Sequence, residues 1–335
     1  MTKYPEYFDS QIESALKTYS LSLADSKNLA KRVLELSDFF IQNPDKATPW
    51  NKEWAQIAYL CYYLPLNSVR LTKIIEEAAR REFFKDITHV IDFGAGLATA
   101  SLNLAAVKNF QFHLIERSKE PQKIIADFFP EFKGSWHQSF TEKALDRPEK
   151  TMAVFSYSLT ELKDIPEWAL QCEALMLVEP STQQDGRKLL ELREKLIAKG
   201  YHPYAPCTHE DKCPLLHQSK TDWCHDRVLF DAPTWFLKME EQLPMKNRSL
   251  TMSYLLMRKT PPTPVKATRV VGDRMKEKGK DRQMICRGTE REFLAWLHKT
   301  KISQDILRGT LIQIPESSKK VSNEVRIEEE IPLYE

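Results

Sequence analysis

The sequence predicts an α/β protein with a mostly parallel sheet that is covered by helices on both faces. Two observations support this fold class. From Thr88 onward, short apolar segments alternate with segments of helical periodicity, which is the order that βαβ units produce. The first apolar segment, residues 90–93, is followed by glycines at 94 and 96 and then by a helical segment, so a tight turn is expected to join the first strand to its crossover helix.

The composition is that of a folded globular protein of two or three units. The 335 residues are 42% hydrophobic, which is enough to bury a core, and tyrosine and proline interrupt the longest apolar runs. The first residues lack the apolar stretch of a signal peptide, and six cysteines without an export signal are typical of a reducing compartment. We therefore expect a cytoplasmic protein that has no membrane segment.

Residues 1–86 are predicted to form an N-terminal helical domain. Apolar residues recur at helical spacing between 29 and 40, behind a candidate cap at Asp25 or the serine that follows it. Asn51 and Asn67 are predicted to cap two further helices. Because this region carries no recognisable chemical motif, we expect it to act as a cap that packs on the next domain.

Residues 87–260 are predicted to form the sheet domain, with a cysteine-rich insertion at 205–227. The predicted strands are 90–93, 110–115, 152–156, 175–179 and 249–258, and the predicted helices are 98–107, 165–172 and 186–199.

A proline-rich linker at 260–264 precedes a small β-rich extension, residues 261–335. Its predicted strands are 269–271, 283–286, 293–297 and 310–314. Between 266 and 310 there are twelve Lys and Arg against six Asp and Glu, which suits contact with phosphate, whereas 311–335 carry three against six. The formal net charge of the whole chain is only +2, so the basic block is local and the acidic end is expected to be a solvated tail.

The turn after the first strand is a candidate nucleoside site. Asp92, Gly94 and Gly96 end the strand, and Glu116 ends the second strand twenty residues after Gly96, where a carboxylate can accept hydrogen bonds from both ribose hydroxyls. The third glycine of a dinucleotide fingerprint is missing, which favours S-adenosylmethionine over a pyrophosphate-containing cofactor. Ser156, at the end of a later strand, is included in the predicted cofactor site.

The cysteine-rich insertion is a candidate metal site. Cys207, Cys213 and Cys224 lie close together in sequence, and Cys286 is a fourth thiol that lies sixty-two residues further on. The irregular spacing fits an iron-sulfur cluster better than a zinc ribbon, but zinc held by three cysteines and His209, His217 or His225 remains open. Four protein ligands would make either site structural, and a site that includes Cys286 would pin the β-rich extension to the sheet domain.

Several motifs resemble one known family. In chain order they are VIDFGAG, SYSLTEL, VEPST, APCTH, CPL and DWCH, which together span residues 90–225. They are similar to those of the Rsm-type methyltransferase-like proteins of the small ribosomal subunit, known from mitochondria with relatives in bacteria. The resemblance implies a class I S-adenosylmethionine-dependent methyltransferase fold, a [4Fe-4S] site at Cys207, Cys213, Cys224 and Cys286, and binding to small-subunit ribosomal RNA during assembly.

The sequence leaves methyl transfer itself open. Ala98 and Ser181 stand where many relatives have glycine, and the segment after the fourth strand lacks the usual catalytic motif of base methyltransferases. Tyr157, which can stack on a base, and Glu161, which can accept a proton, are the candidate catalytic residues. The alternatives are therefore a subunit-assembly factor, an active RNA methyltransferase, and a zinc-stabilised methyltransferase acting on a protein or small molecule.

The basic part of the extension is the candidate RNA-binding surface. Arg274, Lys276, Lys278 and Arg282 can contact phosphates, while nearby aromatic residues can stack on unpaired bases. The expected partner is the small ribosomal subunit and its RNA, and the chain is expected to be a monomer away from it.

Overall fold

The computed structural model describes residues 2–43, 46–162 and 164–334. The chain divides into two compact units, each assembled from several segments, whose bounds differ from those of the three predicted domains. Unit 1 comprises residues 1–76, 86–173 and 228–250, and unit 2 comprises residues 77–85, 174–227 and 251–335.

The helices are mostly short. They are α1 (Tyr7–Thr18), α2 (Ser26–Gln42), α3 (Glu53–Ala58), α4 (Leu64–Arg80), α5 (Thr99–Ala105), α6 (Glu120–Phe128), α7 (Gln183–Ala198), α8 (Pro214–His217) and α9 (Thr234–Glu241).

The strands fall into two groups, one before and one after the proline-rich linker. The first group is β1 (His89–Phe93), β2 (Gln111–Ile115), β3 (Ser135–His137), β4 (Thr151–Ser156), β5 (Ala174–Glu179), β6 (His202–Ala205), β7 (Asp226–Leu229) and β8 (Ser249–Arg258). The second group is β9 (Thr268–Val270), β10 (Met275–Glu277), β11 (Lys280–Cys286), β12 (Glu292–Leu297), β13 (Leu311–Ile312), β14 (Lys319–Val321) and β15 (Glu324–Arg326).

Unit 1 contains parallel strands in the order β3-β2-β1-β4. β1 and β4 are apolar and almost wholly buried, as expected for strands that are covered on both faces. Parallel pairing brings the carboxyl ends of these strands to one edge, which is where an open α/β sheet binds ligands. The predicted α/β Rossmann-like fold is confirmed.

Unit 2 contains antiparallel strands and a second sheet. β8 pairs antiparallel with both β5 and β6, so the strands of the fold are mixed in direction. The second sheet has the order β13-β9-β11-β12-β15-β14, and β10 pairs with β11. The predicted β-rich character of the C-terminal region is therefore observed.

Three predictions about local structure were wrong. A helix at 165–172 is replaced by a single 3-10 turn, Ala169–Gln171, because Pro166 disfavours helical backbone in the residue before it and too few residues remain before β5. Asn67 does not cap a helix but lies inside α4, and the helix that follows Asn51 begins only at Glu53. A π-helical turn, Tyr59–Tyr63, joins α3 to α4 just before Pro65, which has no N–H to donate in a regular helix.

The acidic end of the chain is also not a solvated tail. β13, β14 and β15 join the second sheet, and Val325, Ile327 and Ile331 are buried in its core. Burying these apolar side chains stabilises the ordered segment.

Candidate functional site

The turn after β1 has a backbone that only glycine adopts easily. Gly94 has φ +69° and Gly96 has φ +50°. A Cβ atom on Gly94 would lie 2.5 Å from the Cβ of Ser158, whose hydroxyl donates a 2.6 Å hydrogen bond to the carbonyl of Phe93. The loop after β4 therefore packs directly against the turn and holds it in place.

Glu116 lies beside this turn, as its position after β2 predicted. One carboxylate oxygen accepts a hydrogen bond from the Gly96 amide at 3.1 Å, and the other accepts one from the Ser118 amide at 2.9 Å. A carboxylate has about four lone-pair positions, so two remain for ribose hydroxyls. The amides fix the side chain in the orientation that such contacts require.

Asp92 anchors the helix that follows the turn. Its side chain is 2% exposed and accepts a 2.7 Å hydrogen bond from the hydroxyl of Ser101 in α5. Burial raises the pKa of Asp92 to about 6, although the hydrogen bonds from Ser101 oppose this shift. This geometry supports a role for Asp92 in organising the loop after β1.

A cavity of about 360 Å³ lies at this edge of the strands in unit 1. It is lined by every predicted cofactor-site residue, namely Asp92, Gly94, Gly96, Glu116 and Ser156, and by Tyr157 and Glu161. Its size is within the range of small-molecule sites.

The N-terminal helical region contributes residues to the cavity that the sequence did not reveal. Trp50, Tyr59 and Asn67 line it, and the rings of Trp50 and Tyr59 are 4.5 Å apart. Trp50 lies over the glycine turn, since a Cβ on Gly96 would be 3.4 Å from its ring. The expectation that this region is chemically bland was thus incomplete, because no local motif marks a side chain that reaches a distant turn.

The two candidate catalytic residues follow β4. Tyr157 has φ +60°, a left-handed backbone that is rare for an aromatic residue and that tends to occur at functional sites. Glu161 ends a 3-10 turn, Leu159–Glu161. Loss of hydration raises the pKa of Glu161, with Arg117 opposing the shift and Glu116 adding to it.

The four predicted metal ligands converge in unit 2. Cys207, Cys213, Cys224 and Cys286 all line one small cavity, and Cys213 is the residue before α8. Burial raises the pKa values of the Cys213, Cys224 and Cys286 thiols, so these sulfurs are protonated unless a cation binds them. In the part of the chain that the structure describes, no three His, Cys, Asp or Glu side chains are grouped closely enough to hold one metal ion.

The three histidines that were alternative zinc ligands have different surroundings. His209 lies next to the cysteines, with its Nε2 atom 3.3 Å from the Sγ of Cys286. His217 instead pairs with Glu194 at 2.7 Å, and His225 stacks against Trp223 with ring centroids 5.3 Å apart. Burial, together with nearby arginines, lowers the pKa of His225 to about 3.

Arg193 was not predicted but lies among the cysteines. This residue of α7 is 1% exposed, and its Nε atom is 3.1 Å from the Sγ of Cys207. The sequence did hold a signal for it, because Arg193 falls at helical spacing within the apolar stripe Leu189, Leu190 and Leu196. Cys61 and Cys172, the two remaining cysteines, are fully buried.

The four predicted RNA-contacting cations form two classes. Arg274 pairs with Asp281 at 2.5 Å and Arg282 with Glu277 at 2.5 Å, so their charges are partly neutralised within the sheet. Lys276 and Lys278 are exposed, and neither forms an ion pair with any residue that the structure describes.

Across residues 2–43, 46–162 and 164–334, none of the helices combines the length and apolar character needed to cross a membrane.

Solved structures share parts of the fold at low identity. A provisionally assigned RNA methyltransferase from Pyrococcus horikoshii is 11% identical, covers 57% of this chain and 84% of its own, and superposes with a TM-score of 0.37. Precorrin-6y C5,15-methyltransferase from Geobacter metallireducens GS-15 is 16% identical, covers 57% of this chain and 87% of its own, and has a TM-score of 0.37. M. capricolum TrmK in complex with S-adenosyl-homocysteine is 11% identical, covers 54% of this chain and 67% of its own, and has a TM-score of 0.30. At these TM-scores the likeness carries no argument about substrate.

Comparison with curated protein sequences finds no match. A family model, by contrast, matches residues 53–305, which is well over half of the 335 residues. That range contains the glycine turn, Glu116 and all four clustered cysteines. The chain belongs to the family described as mitochondrial small ribosomal subunit Rsm22.

Proposed function

We propose that this protein is a methyltransferase-like factor that binds small-subunit ribosomal RNA, assists assembly of the small ribosomal subunit, and carries an adenosyl cofactor pocket and a [4Fe-4S] cluster. The observation that carries the proposal is the hydrogen bond from the Gly96 amide to the Glu116 carboxylate, two groups that line the cavity. It occurs in a chain that belongs to a small-subunit family. Away from the ribosome the chain is a monomer, which light scattering can test.

The cavity suits S-adenosylmethionine in its hydrogen-bond acceptor and its volume. Glu116 would accept hydrogen bonds from the ribose hydroxyls, and the glycine turn, where a side chain on Gly94 would collide with Ser158, would let the ligand approach the backbone. The absence of a pyrophosphate in this ligand suits the buried carboxylate of Asp92. When bound, the cofactor would supply an electrophilic methyl group.

Titration calorimetry with S-adenosylhomocysteine tests the pocket. Glu116→Gln should weaken binding about tenfold or more, because hydrogen bonds to a charged group are worth roughly 1.5–3 kcal/mol. Glu131→Gln is the matched control, since Glu131 is exposed and does not line this cavity. Equal affinities for the wild type and the Glu116 variant would remove the adenosyl assignment.

The four clustered thiols support an iron-sulfur cluster in unit 2. A zinc ion would need three or four side chains inside its own coordination sphere, with sulfur at about 2.3 Å. A cubane cluster binds each thiolate to a different iron, so its ligands are further apart. Anaerobic purification decides the metal: iron and sulfide with a brown colour are expected, and a colourless protein with one zinc per chain would contradict the proposal.

The RNA partner can be identified without assuming catalysis. Crosslinking the protein to RNA in cells and sequencing the bound fragments should recover small-subunit ribosomal RNA above all other RNAs. Lys276 and Lys278 are the cations most free to contact phosphate, since Arg274 and Arg282 are paired within the sheet. Recovery of messenger or transfer RNA alone would contradict a role on the subunit.

Methyl transfer to RNA is a second candidate function, favoured by the presence of Tyr157 and Glu161 in the same cavity. Tyr157 would stack on the target base and Glu161 would accept a proton. Incubation of small-subunit RNA with labelled S-adenosylmethionine should then label the RNA, and Glu161→Gln should reduce the rate about 100-fold. Unlabelled RNA that still binds the protein would leave the assembly role alone standing.

A further inference from the structure

Arg193 carries a positive charge into the interior of unit 2. The side chain is 1% exposed, on the face of α7 that also buries Leu189, Leu190 and Leu196. Removing a guanidinium from water is costly unless an anion or a full set of hydrogen bonds replaces the lost hydration. The surroundings of Arg193 should therefore contain a compensating negative charge.

No carboxylate within residues 2–43, 46–162 and 164–334 supplies that charge. Among the residues that the structure describes, Arg193 forms no ion pair with Asp or Glu. Its Nε atom donates to the Sγ of Cys207 at 3.1 Å, its Nη2 atom donates to the carbonyl of His209 at 2.6 Å, and its buried Nη1 atom has no hydrogen-bond partner.

A second buried arginine in the same unit shows the usual arrangement. Arg269, 2% exposed, donates hydrogen bonds to Glu77 and lies 3.4 Å from a carboxylate oxygen of Asp226. Both arginines line the cysteine cavity, but only Arg269 has carboxylate partners. The negative charge that compensates Arg193 must therefore come from the cysteine sulfurs.

We propose that Arg193 is the charge partner of the metal-bound thiolates, an inference that rests on the iron-sulfur cluster proposed above. Four thiolates outweigh the positive charge of a [4Fe-4S] core, so the assembled centre is an anion. The guanidinium offsets that anion, and its N–H bond to the Cys207 sulfur stabilises the reduced cluster more than the oxidised one. Arg193 is thus a positioning residue that sets the retention and the reduction potential of the cluster.

Arg193 also links two of the ligand segments. The hydrogen bond from Arg193 to the His209 carbonyl holds the loop after Cys207. The imidazole of His209 in turn lies 3.3 Å from the sulfur of Cys286. Loss of the guanidinium should therefore loosen ligands that come from both ends of the site.

The test compares Arg193→Met, which removes the charge and the donors, with Arg193→Lys, which keeps the charge but loses the N–H fork. Lys188→Met is the matched control, because Lys188 is an exposed cation of the same helix. Iron and sulfide per chain, the rate of cluster loss in air, and the midpoint potential are measured on the anaerobically purified protein. In the potential titration dithionite supplies one electron per cluster, and no ligand bond is made or broken.

Arg193→Met should lower the ratio of reduced to oxidised cluster at least tenfold at a fixed potential, which is about 59 mV for one electron. It should also speed cluster loss, and Arg193→Lys should shift the potential in the same direction by less. If the methionine variant fails to fold, the lysine variant decides. An unchanged potential in a folded variant that keeps its cluster overturns this inference alone, whereas a wild-type protein without iron and sulfide overturns the cluster proposal as well.

Discussion

Replacing Gly94 with alanine should damage the cavity beside β1 more than the same change at Gly96. Both glycines have positive φ, so each substitution should cost about 1–2 kcal/mol of left-handed backbone strain. At Gly94 the new Cβ would also lie 2.5 Å from the Cβ of Ser158, which is about an ångström inside ordinary contact. Overpacking of this kind typically costs roughly 1–3 kcal/mol, so the expected loss of unfolding free energy is about 2–5 kcal/mol at Gly94.

Gly96 is the matched control for this prediction. A Cβ there would be 3.4 Å from the ring of Trp50, at the limit of ordinary contact, so only the strain of about 1–2 kcal/mol is expected. Urea denaturation followed by tryptophan fluorescence measures the difference, and calorimetry with S-adenosylhomocysteine measures its effect on binding. Equal losses at the two positions, or a loss below about 1 kcal/mol at Gly94, would refute the steric reasoning.

Three further outcomes are expected. Arg269→Met should destabilise the protein by about 3–5 kcal/mol in urea denaturation, because its two buried carboxylate partners would lose the positive charge that offsets theirs. Asp92→Asn should stabilise the protein by at most about 3 kcal/mol at pH 7.5. The folded-state pKa of Asp92 is about 6, so this aspartate binds its proton more tightly in the folded protein than in the unfolded chain. Its protonation therefore favours the folded state at low pH, and that contribution is lost as the pH rises through about 6. Lys276→Gln with Lys278→Gln should reduce the slope of log affinity for single-stranded RNA against log salt by about 1.4.

Each of these predictions has its own control. Replacing Glu77, Asp226 and Arg269 together by apolar residues should recover part of the stability that Arg269→Met loses. If the separate and combined replacements change the unfolding free energy additively, the ion-pair argument is contradicted. The gain from Asp92→Asn should shrink between pH 7.5 and 5, and a pH-independent gain would point to a different cause. Exposed lysines elsewhere, replaced in equal number, should leave the RNA salt slope unchanged.

The predicted cofactor-site residues line one cavity, which local sequence patterns explain. Asp92, the two glycines and Glu116 occur at a strand, a turn and the next strand end, so short-range sequence order is enough to place them. Trp50 and Tyr59 could not be predicted in this way, because they reach the cavity from a turn and a π-helical turn that are remote in sequence. The cysteine cavity was predicted from residue type, whereas the signal for Arg193, its place within the apolar stripe of α7, was overlooked.

The errors have similar causes. Proline decided two of them: Pro166 prevented the helix predicted at 165–172, and the π-helical turn before Pro65 made one continuous helical stretch where Asn67 looked like a cap. The prediction of a solvated acidic tail was wrong for a different reason. The strand predicted at 310–314 is present in part as β13, but β14 and β15 are only three residues long, and periodicity cannot be recognised over such a length.

The buried ion pairs of Arg269 have a consequence for biosynthesis. Glu77 and Asp226 leave the ribosome well before Arg269, so a growing chain holds two carboxylates whose counter-charge has not yet been made. These carboxylates must stay hydrated until β9 arrives, so their part of unit 2 is expected to close only late in translation. A chain shortened at residue 260 would keep every residue that lines the cavity beside β1 but would lack the guanidinium of Arg269. Expression of the sheet region alone is therefore expected to give a poorly folded product.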